Sequence, residues 1–200
     1  MSNQVQKFNL LAVNSYSVMK LFSLKNLWRN HLLYNDFGIR LHTLVNSYRF
    51  KKMDIFVVLW PPAIQYFSQI EKEIRKRYEI ISSRRFLIGE KVFDDFVRKL
   101  YAIDSASANK IDAKLKNLRV HPLEIQVLKV RFHHPKLDVQ DLLNRKRCVD
   151  AHVLKDMIRK KFSNRVSHYI FDTIIHSTET EKQARDAEIV LKTFGRQKNG

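Results

Sequence analysis

Strand-like apolar runs separated by stripes of helical period, in the order β-α-β-(αα)-β-α-β-α, predict an α+β protein. The expected core is a ferredoxin-like βαββαβ antiparallel sheet with a helix pair inserted after the second strand. Three observations carry this. Ile55-Phe56-Val57-Val58-Leu59-Trp60 is an unbroken apolar run, the mark of a strand buried on both faces. Ile64, Phe67, Ile70 and Ile74 then recur at helical spacing before strand character returns. Further apolar runs at 124–132 and 169–175 flank a long helical pattern, repeating the strand-helix-strand theme. Helices are expected on one face of the sheet.

Each element has its local signal. Pro61-Pro62 ends the first strand and suits a helix start. The second strand runs from Tyr78 to Ile88 and stops at Gly89. Val92, Phe93, Phe96, Val97, Leu100 and Tyr101 mark the first inserted helix. Asp104 is the expected N-cap of the second, which carries Ile111, Leu115 and Leu118. His121-Pro122 breaks that helix, and Glu124 to Phe132 is the third strand. Residues 133–147 read as a charged loop. Val153, Leu154, Met157, Ile158 and Phe162 share one side of the next helix. The fourth strand is expected to end at His176, and the last helix to bury Ala184, Ala187, Leu191 and Phe194.

The chain of 200 residues has room for one domain, expected over 53–195, with a tail at 196–200. Residues 1–52 differ: eight basic residues face one acid, Asp36. Three readings stand open for this extension. It is a transit peptide, a segment upstream of a true start at Met53, or a short helical arm. The single cysteine, Cys148, rules out an internal disulfide and fits a reducing, cytoplasmic setting; a transit peptide would make it mitochondrial. No apolar run reaches the ~18 residues that cross a bilayer. A net charge of +17 favours partners that carry phosphate.

His176 stands where strand character gives way to Ser177, Thr178 and Glu179, residues of N-cap type. An imidazole titrates near neutrality, so a ring nitrogen can act as a nucleophile there. A helix opening beside it would turn free N–H groups toward an arriving phosphoryl group. Glu188 and Glu181 are the acids within one or two helical turns that could hold the far ring nitrogen. The residues alone leave two readings: a reactive imidazole, or a polar residue at a strand edge.

The C-terminal stretch Thr173-Ile174-Ile175-His176-Ser177-Thr178-Glu179-Thr180, followed by Ala184, Ala187, Glu188, Ile189, Leu191 and Phe194, resembles the signature of nucleoside diphosphate kinases, N-I-I-H-G-S-D-S and an E-x-A-E-R-E-I helix. Upstream, Met157-Ile158-Arg159-Lys160-Lys161-Phe162 is similar to that family's T-I-R-G-D-F. The chain departs from the pattern at Trp60, where the family has lysine, at Thr173 for asparagine and at Ser177 for glycine. The resemblance implies a nucleoside diphosphate kinase-like fold and a ping-pong transfer of the γ-phosphate from a nucleoside triphosphate to a diphosphate. It implies that His176 is the phosphorylated nucleophile and that Glu188 steadies its ring. Arg159 would contact phosphate, with Thr173, Thr178 and Glu179 in the remaining substrate-binding positions. Mg²⁺ would arrive with the nucleotide rather than in a protein cage. A homo-oligomer is a further expectation.

A second class of function stays open: a non-catalytic ferredoxin-like module that binds RNA or another polyanion through its basic surface. Arg75-Lys76-Arg77, Arg84-Arg85 and Arg145-Lys146-Arg147 lie near Tyr78 and Phe86, as a single-strand-binding sheet face would need. His121, His133 and His134 match no metal-ligand spacing, and no metal site is expected. No glycine-rich phosphate loop is present.

Overall fold

The computed structural model describes residues 52–139, 146–167, 169 and 173–196. The basic segment 1–51, residues 170–172 of the expected fourth strand and the tail from 197 lie outside them. The apolar run becomes β1 (Lys52–Leu59). A 3-10 turn with proline at its first positions (Pro61–Tyr66) leads into α1 (Phe67–Arg75). β2 (Glu79–Leu87) follows, then the helix pair α2 (Glu90–Ala102) and α3 (Ala108–Leu118). β3 (Glu124–His133), the short strands β4 (Leu137–Val139) and β5 (Lys146–Cys148), and α4 (Val149–Phe162) come next. β6 (Ile175–Ser177) and α5 (Glu181–Arg196) close the described chain.

The main sheet has the order β2-β3-β1-β6, and every pairing is antiparallel. This is the ferredoxin-like arrangement that the order of elements predicts, with the helix pair inserted between β2 and β3. The edge strand β2 carries a bulge between Ile80 and Ser82.

Alternation along β1 explains why its sequence is apolar throughout. Met53, Ile55, Val57 and Leu59 point into one core, with Phe67, Ile70 and Ile74 of α1 and Leu154, Ile158 and Phe162 of α4. Val58 and Trp60 point into a second core, with Phe93, Phe96 and Leu100 of α2, Leu115 of α3 and Ala187 of α5. Helices therefore cover both faces of the sheet, not one. The inserted pair and α5 supply the second layer, which a bare βαββαβ unit lacks.

Three other expectations change. The segment 133–147, read as a loop, contains the β4–β5 hairpin, pinned where Leu137 pairs with Cys148 and both are buried. Charged Lys146 and Arg147 hid that strand in the sequence. Val153, placed on the apolar side of α4, is 45% exposed, and Ala151 takes part in the core instead. The second inserted helix starts after Ser107, so Asp104 is not its cap. The chain first turns through Ser105, with φ at 56°, and frees the Asp104 side chain for other partners.

Removal of either core should be felt. Leu154→Ala opens the first and Phe93→Ala the second; each is expected to lower stability by ~2–5 kcal/mol in urea unfolding, with little change in slope. A loss under ~1 kcal/mol for Phe93→Ala would mean the second face is not a packed core.

Candidate functional site

His176 is placed by the sheet. It pairs with Val58 in the β1–β6 ladder, between Ile175 opposite Leu59 and Ser177 opposite Val57. It is the middle residue of β6, not the last residue of a strand. The ladder runs on past it, because Thr178 donates its N–H to the Phe56 carbonyl at 3.0 Å and accepts from the Phe56 N–H on its hydroxyl at 3.0 Å. Like Val58, the ring lies on the second face, where it meets Tyr101 edge to face with centroids 4.8 Å apart. Tyr101 in turn stacks on Trp60 at 5.9 Å. His176 is only 6% exposed.

The helix after the strand is capped by Thr180, one residue beyond the expected set. Thr180 Oγ1 accepts from the Gln183 N–H at 3.1 Å, and Gln183 Oε1 accepts from the Thr180 N–H at 3.1 Å. This is a capping box, T-x-x-Q, readable in the sequence but not singled out there. Gln183 Oε1 also accepts from the Glu179 N–H at 2.8 Å.

The charged groups come from separate parts of the chain. Asp104, after α2, sets Oδ2 3.6 Å from His176 Nε2 and accepts a hydrogen bond on Oδ1 from Gln183 Nε2 at 3.0 Å. Lys114 of α3 places its ammonium over the Tyr101 ring, 5.0 Å from the centroid. Lys155 and Arg159 stand four residues apart on α4; Arg159 Nη2 donates to the Ile175 carbonyl at 3.3 Å. Glu179 gathers Arg147, Lys155 (2.5 Å) and His152 (3.5 Å) around its carboxylate.

The sequence-derived residues are thus distributed unevenly. His176, Arg159, Thr178 and Glu179 share one neighbourhood. The hydroxyl of Thr178 is spent on the β1 backbone and the carboxylate of Glu179 on its cations. Thr173 is buried, and its hydroxyl, like that of Ser177 and the indole N–H of Trp60, has no hydrogen-bond partner among the described residues. Glu188 pairs with Lys192 at 2.9 Å on a half-exposed face of α5, and the carboxylate at the His176 ring is that of Asp104. No ammonium stands at position 60, where Trp60 is fully buried. Lys114 and Lys155 are the lysines whose charges reach the ring. Asp104, Lys114 and Lys155 escaped sequence reasoning because they come from segments far from His176 in the chain, and Gln183 because it reaches the ring only through Asp104.

Electrostatics follow from burial. Desolvation, reinforced by Lys155, Lys114 and Arg159, pushes the His176 pKa down to about 3, so the imidazole is neutral at pH 7. Desolvation pushes the Asp104 carboxyl the other way, up to about 6, although Lys155 and Lys114 oppose this. Burial would also raise Glu179, but its hydrogen bonds from Arg147 and Lys155 bring it to about 2. Among the described residues, no group of three or more His, Cys, Asp or Glu side chains is arranged to hold a metal ion.

These shifts set a pH dependence. The unfolded chain protonates His176 below about 6.5, whereas the folded chain resists until about 3. The unfolded state binds more protons in that window, so stability falls as pH drops through it. Asp104 acts oppositely between about 6 and 3.8, where the folded state binds the extra proton. The histidine window is wider, so a net acid loss remains. His176→Asn should remove the histidine part of it: relative to the wild type, the variant gains stability on the order of a few kcal/mol between pH 7 and pH 4, read by urea titrations.

No protein-family model matches the chain, and no curated protein matches it. Among solved structures it is similar to the nucleoside diphosphate kinase of Aquifex aeolicus, with a TM-score of 0.48 and 7% identity over 70% of this chain and 94% of that one. It is similar too to the nucleoside diphosphate kinase of Borrelia burgdorferi, solved with bound vanadate and ADP as a transition-state mimic. There the TM-score is 0.46, with 10% identity over 70% of this chain and 86% of that one. The strand order and register described above establish the fold: an α+β protein with a four-stranded, ferredoxin-like antiparallel sheet.

Proposed function

We propose that the domain is a diverged, nucleoside diphosphate kinase-like phosphotransferase in which His176 accepts a phosphoryl group from a nucleoside triphosphate. The observation that carries this reading is one buried, neutral imidazole with Lys114, Lys155 and Arg159 acting on it and a carboxylate beside Nε2. A nucleophilic nitrogen needs a free lone pair, and the depressed pKa keeps it available across the neutral range. The cations that disfavour a charged ring are the ones that would attract an anionic phosphoryl group. Mg²⁺, when bound, would supply charge neutralisation on the nucleotide phosphates and would travel with the nucleotide.

The second reading, a polyanion-binding module, loses the route through an open sheet face, because helices cover both faces. Its remaining basis is the basic exterior.

Incubation with γ-labelled ATP decides between them. Acid-labile label is expected on the wild type and none on His176→Asn. Lys155→Met should slow labelling by ~10²-fold, the scale of losing one positioned charge. No label on the wild type overturns the phosphotransferase. RNA affinity that falls steeply with salt and ignores His176→Asn would then favour the module.

A further inference from the structure

The positive charge of this chain is spread unevenly over its two helical layers. α2, α3 and α5, with the turn joining the first two, carry ten basic side chains and eight acids. On the opposite side of the sheet, residues 67–77 and 160–165 carry seven basic side chains and two acids. These are α1 with the turn after it, and the end of α4 with its 3-10 turn. The two segments lie side by side. Lys161 Nζ meets Glu73 at 2.9 Å, and Arg165 Nη1 donates to Gln69 Oε1 at 3.5 Å. We propose that the outer face of α1 and the C-terminal end of α4 is a docking surface for the phosphate backbone of a nucleic-acid duplex. The proposal goes beyond the phosphotransferase reading and holds whether or not His176 takes a phosphoryl group.

Helical period decides which side chains face outward. Phe67, Ile70 and Ile74 are buried in the core, so Gln69, Lys72 and Lys76 fall on the far side of α1. Ile158 and Phe162 are buried on α4, and Lys160 falls outward. All of these outward residues are exposed. The two acids of α1 are already compensated within the layer. Glu71 accepts from Arg75 and from Ser83, the latter at 3.0 Å. Glu73 is held by Lys76 at 2.6 Å and by Lys161, and these bonds bring its carboxyl down to about 2. The surface ends where α4 turns acidic, at Asp150 and Asp156. It lies across the sheet from the His176 ring.

The aromatic residues choose the kind of partner. Tyr78 and Phe86 stand beside these cations in sequence, as a platform for unpaired bases would need, but their rings are engaged inside the protein. Tyr78 meets Phe132 with centroids 4.5 Å apart, and Phe86 packs against the second core. Tyr66 meets Phe162 at 5.9 Å, and Arg165 lies over Phe162. With no ring offered for stacking, the contacts left are charge contacts, and these read the backbone rather than the bases. A duplex presents the dense row of phosphates that such a surface fits, about one charge per 1.7 Å of axis. An anionic membrane would call for apolar side chains on the same face. The exposed large apolar residues Ile81, Leu87, Val120, Val153 and Ile189 all lie outside the two segments.

The test is fluorescence anisotropy of a labelled, mixed-sequence RNA duplex of about 20 base pairs with the full chain. The wild type should bind, with affinity falling steeply as salt rises. The triple variant Lys72→Gln, Lys76→Gln, Lys160→Gln should weaken binding by ~10-fold or more and reduce the salt slope by about 3, roughly one per lysine. The control Lys91→Gln, Lys110→Gln, Lys116→Gln removes the same charge from α2 and α3 and should change affinity by less than ~3-fold. All six lysines are exposed, and substitutions at such positions leave folding nearly unchanged. Equal losses in the two variants would assign binding to net charge and overturn the proposal. So would a wild type that binds no duplex at low salt, one that binds the matching single strand more tightly, or one that binds only phosphatidylserine vesicles. The first variant should keep wild-type labelling by γ-labelled ATP. A wild type that takes no label yet shows the difference between the variants keeps the surface and loses the phosphotransferase.

Discussion

The antiparallel pairing of Ile175–Ser177 with Val57–Leu59 is the constraint on which the site depends. Three residues are few, and a slip by one would turn His176 into the core under α1 and α4 and send Ser177 toward Tyr101. Contacts at both ends prevent it. Trp60 donates its N–H to the Ile174 carbonyl at 3.0 Å, and Thr178 exchanges two hydrogen bonds with Phe56. The hydroxyl of Thr178 thus does structural service that an alanine could not.

That register matters because the sheet has two unlike sides. One is an ordinary core between β1, β3, α1 and α4. The other is built by the inserted helix pair and α5, and it brings Tyr101, Asp104 and Lys114 to the ring. The insertion is therefore both half of the hydrophobic interior and a source of the polar groups around the imidazole. Glu179 shows how the charges coexist. Its carboxylate compensates Arg147 and Lys155 at close range, so several cations are tolerated near a ring that is barely exposed.

Much of the fold was legible because apolar periodicity is local. Ile55 to Trp60 announced a strand buried twice over, and the residues of α2 and the stripe of α5 fell where expected. The coverage of the second face was implicit in that first run, since a strand with one open face would not need Phe56, Val58 and Trp60. The site was only partly legible. His176 and Arg159 could be found from their surroundings in sequence, but the acid at the ring could not. Asp104 lies 72 positions before His176 and follows a helix, where a carboxylate has an ordinary reading as a cap. Its true role depends on a long-range meeting with Gln183. Glu188 had the spacing a helix face suggests, yet its side chain turns to Lys192.

The edge strand β2 has a consequence for the molecule in company. A sheet ending in a long, flat strand offers a row of backbone groups on which another strand can zip, and such growth leads toward fibrils. Here the kink between Ile80 and Ser82 interrupts the row, and Arg84 and Arg85 put like charges along what remains. The opposite border, β6, is three residues long. Two blunted margins make lateral stacking of these sheets costly, so a chain with an apolar central strand can be abundant without templating its own precipitation.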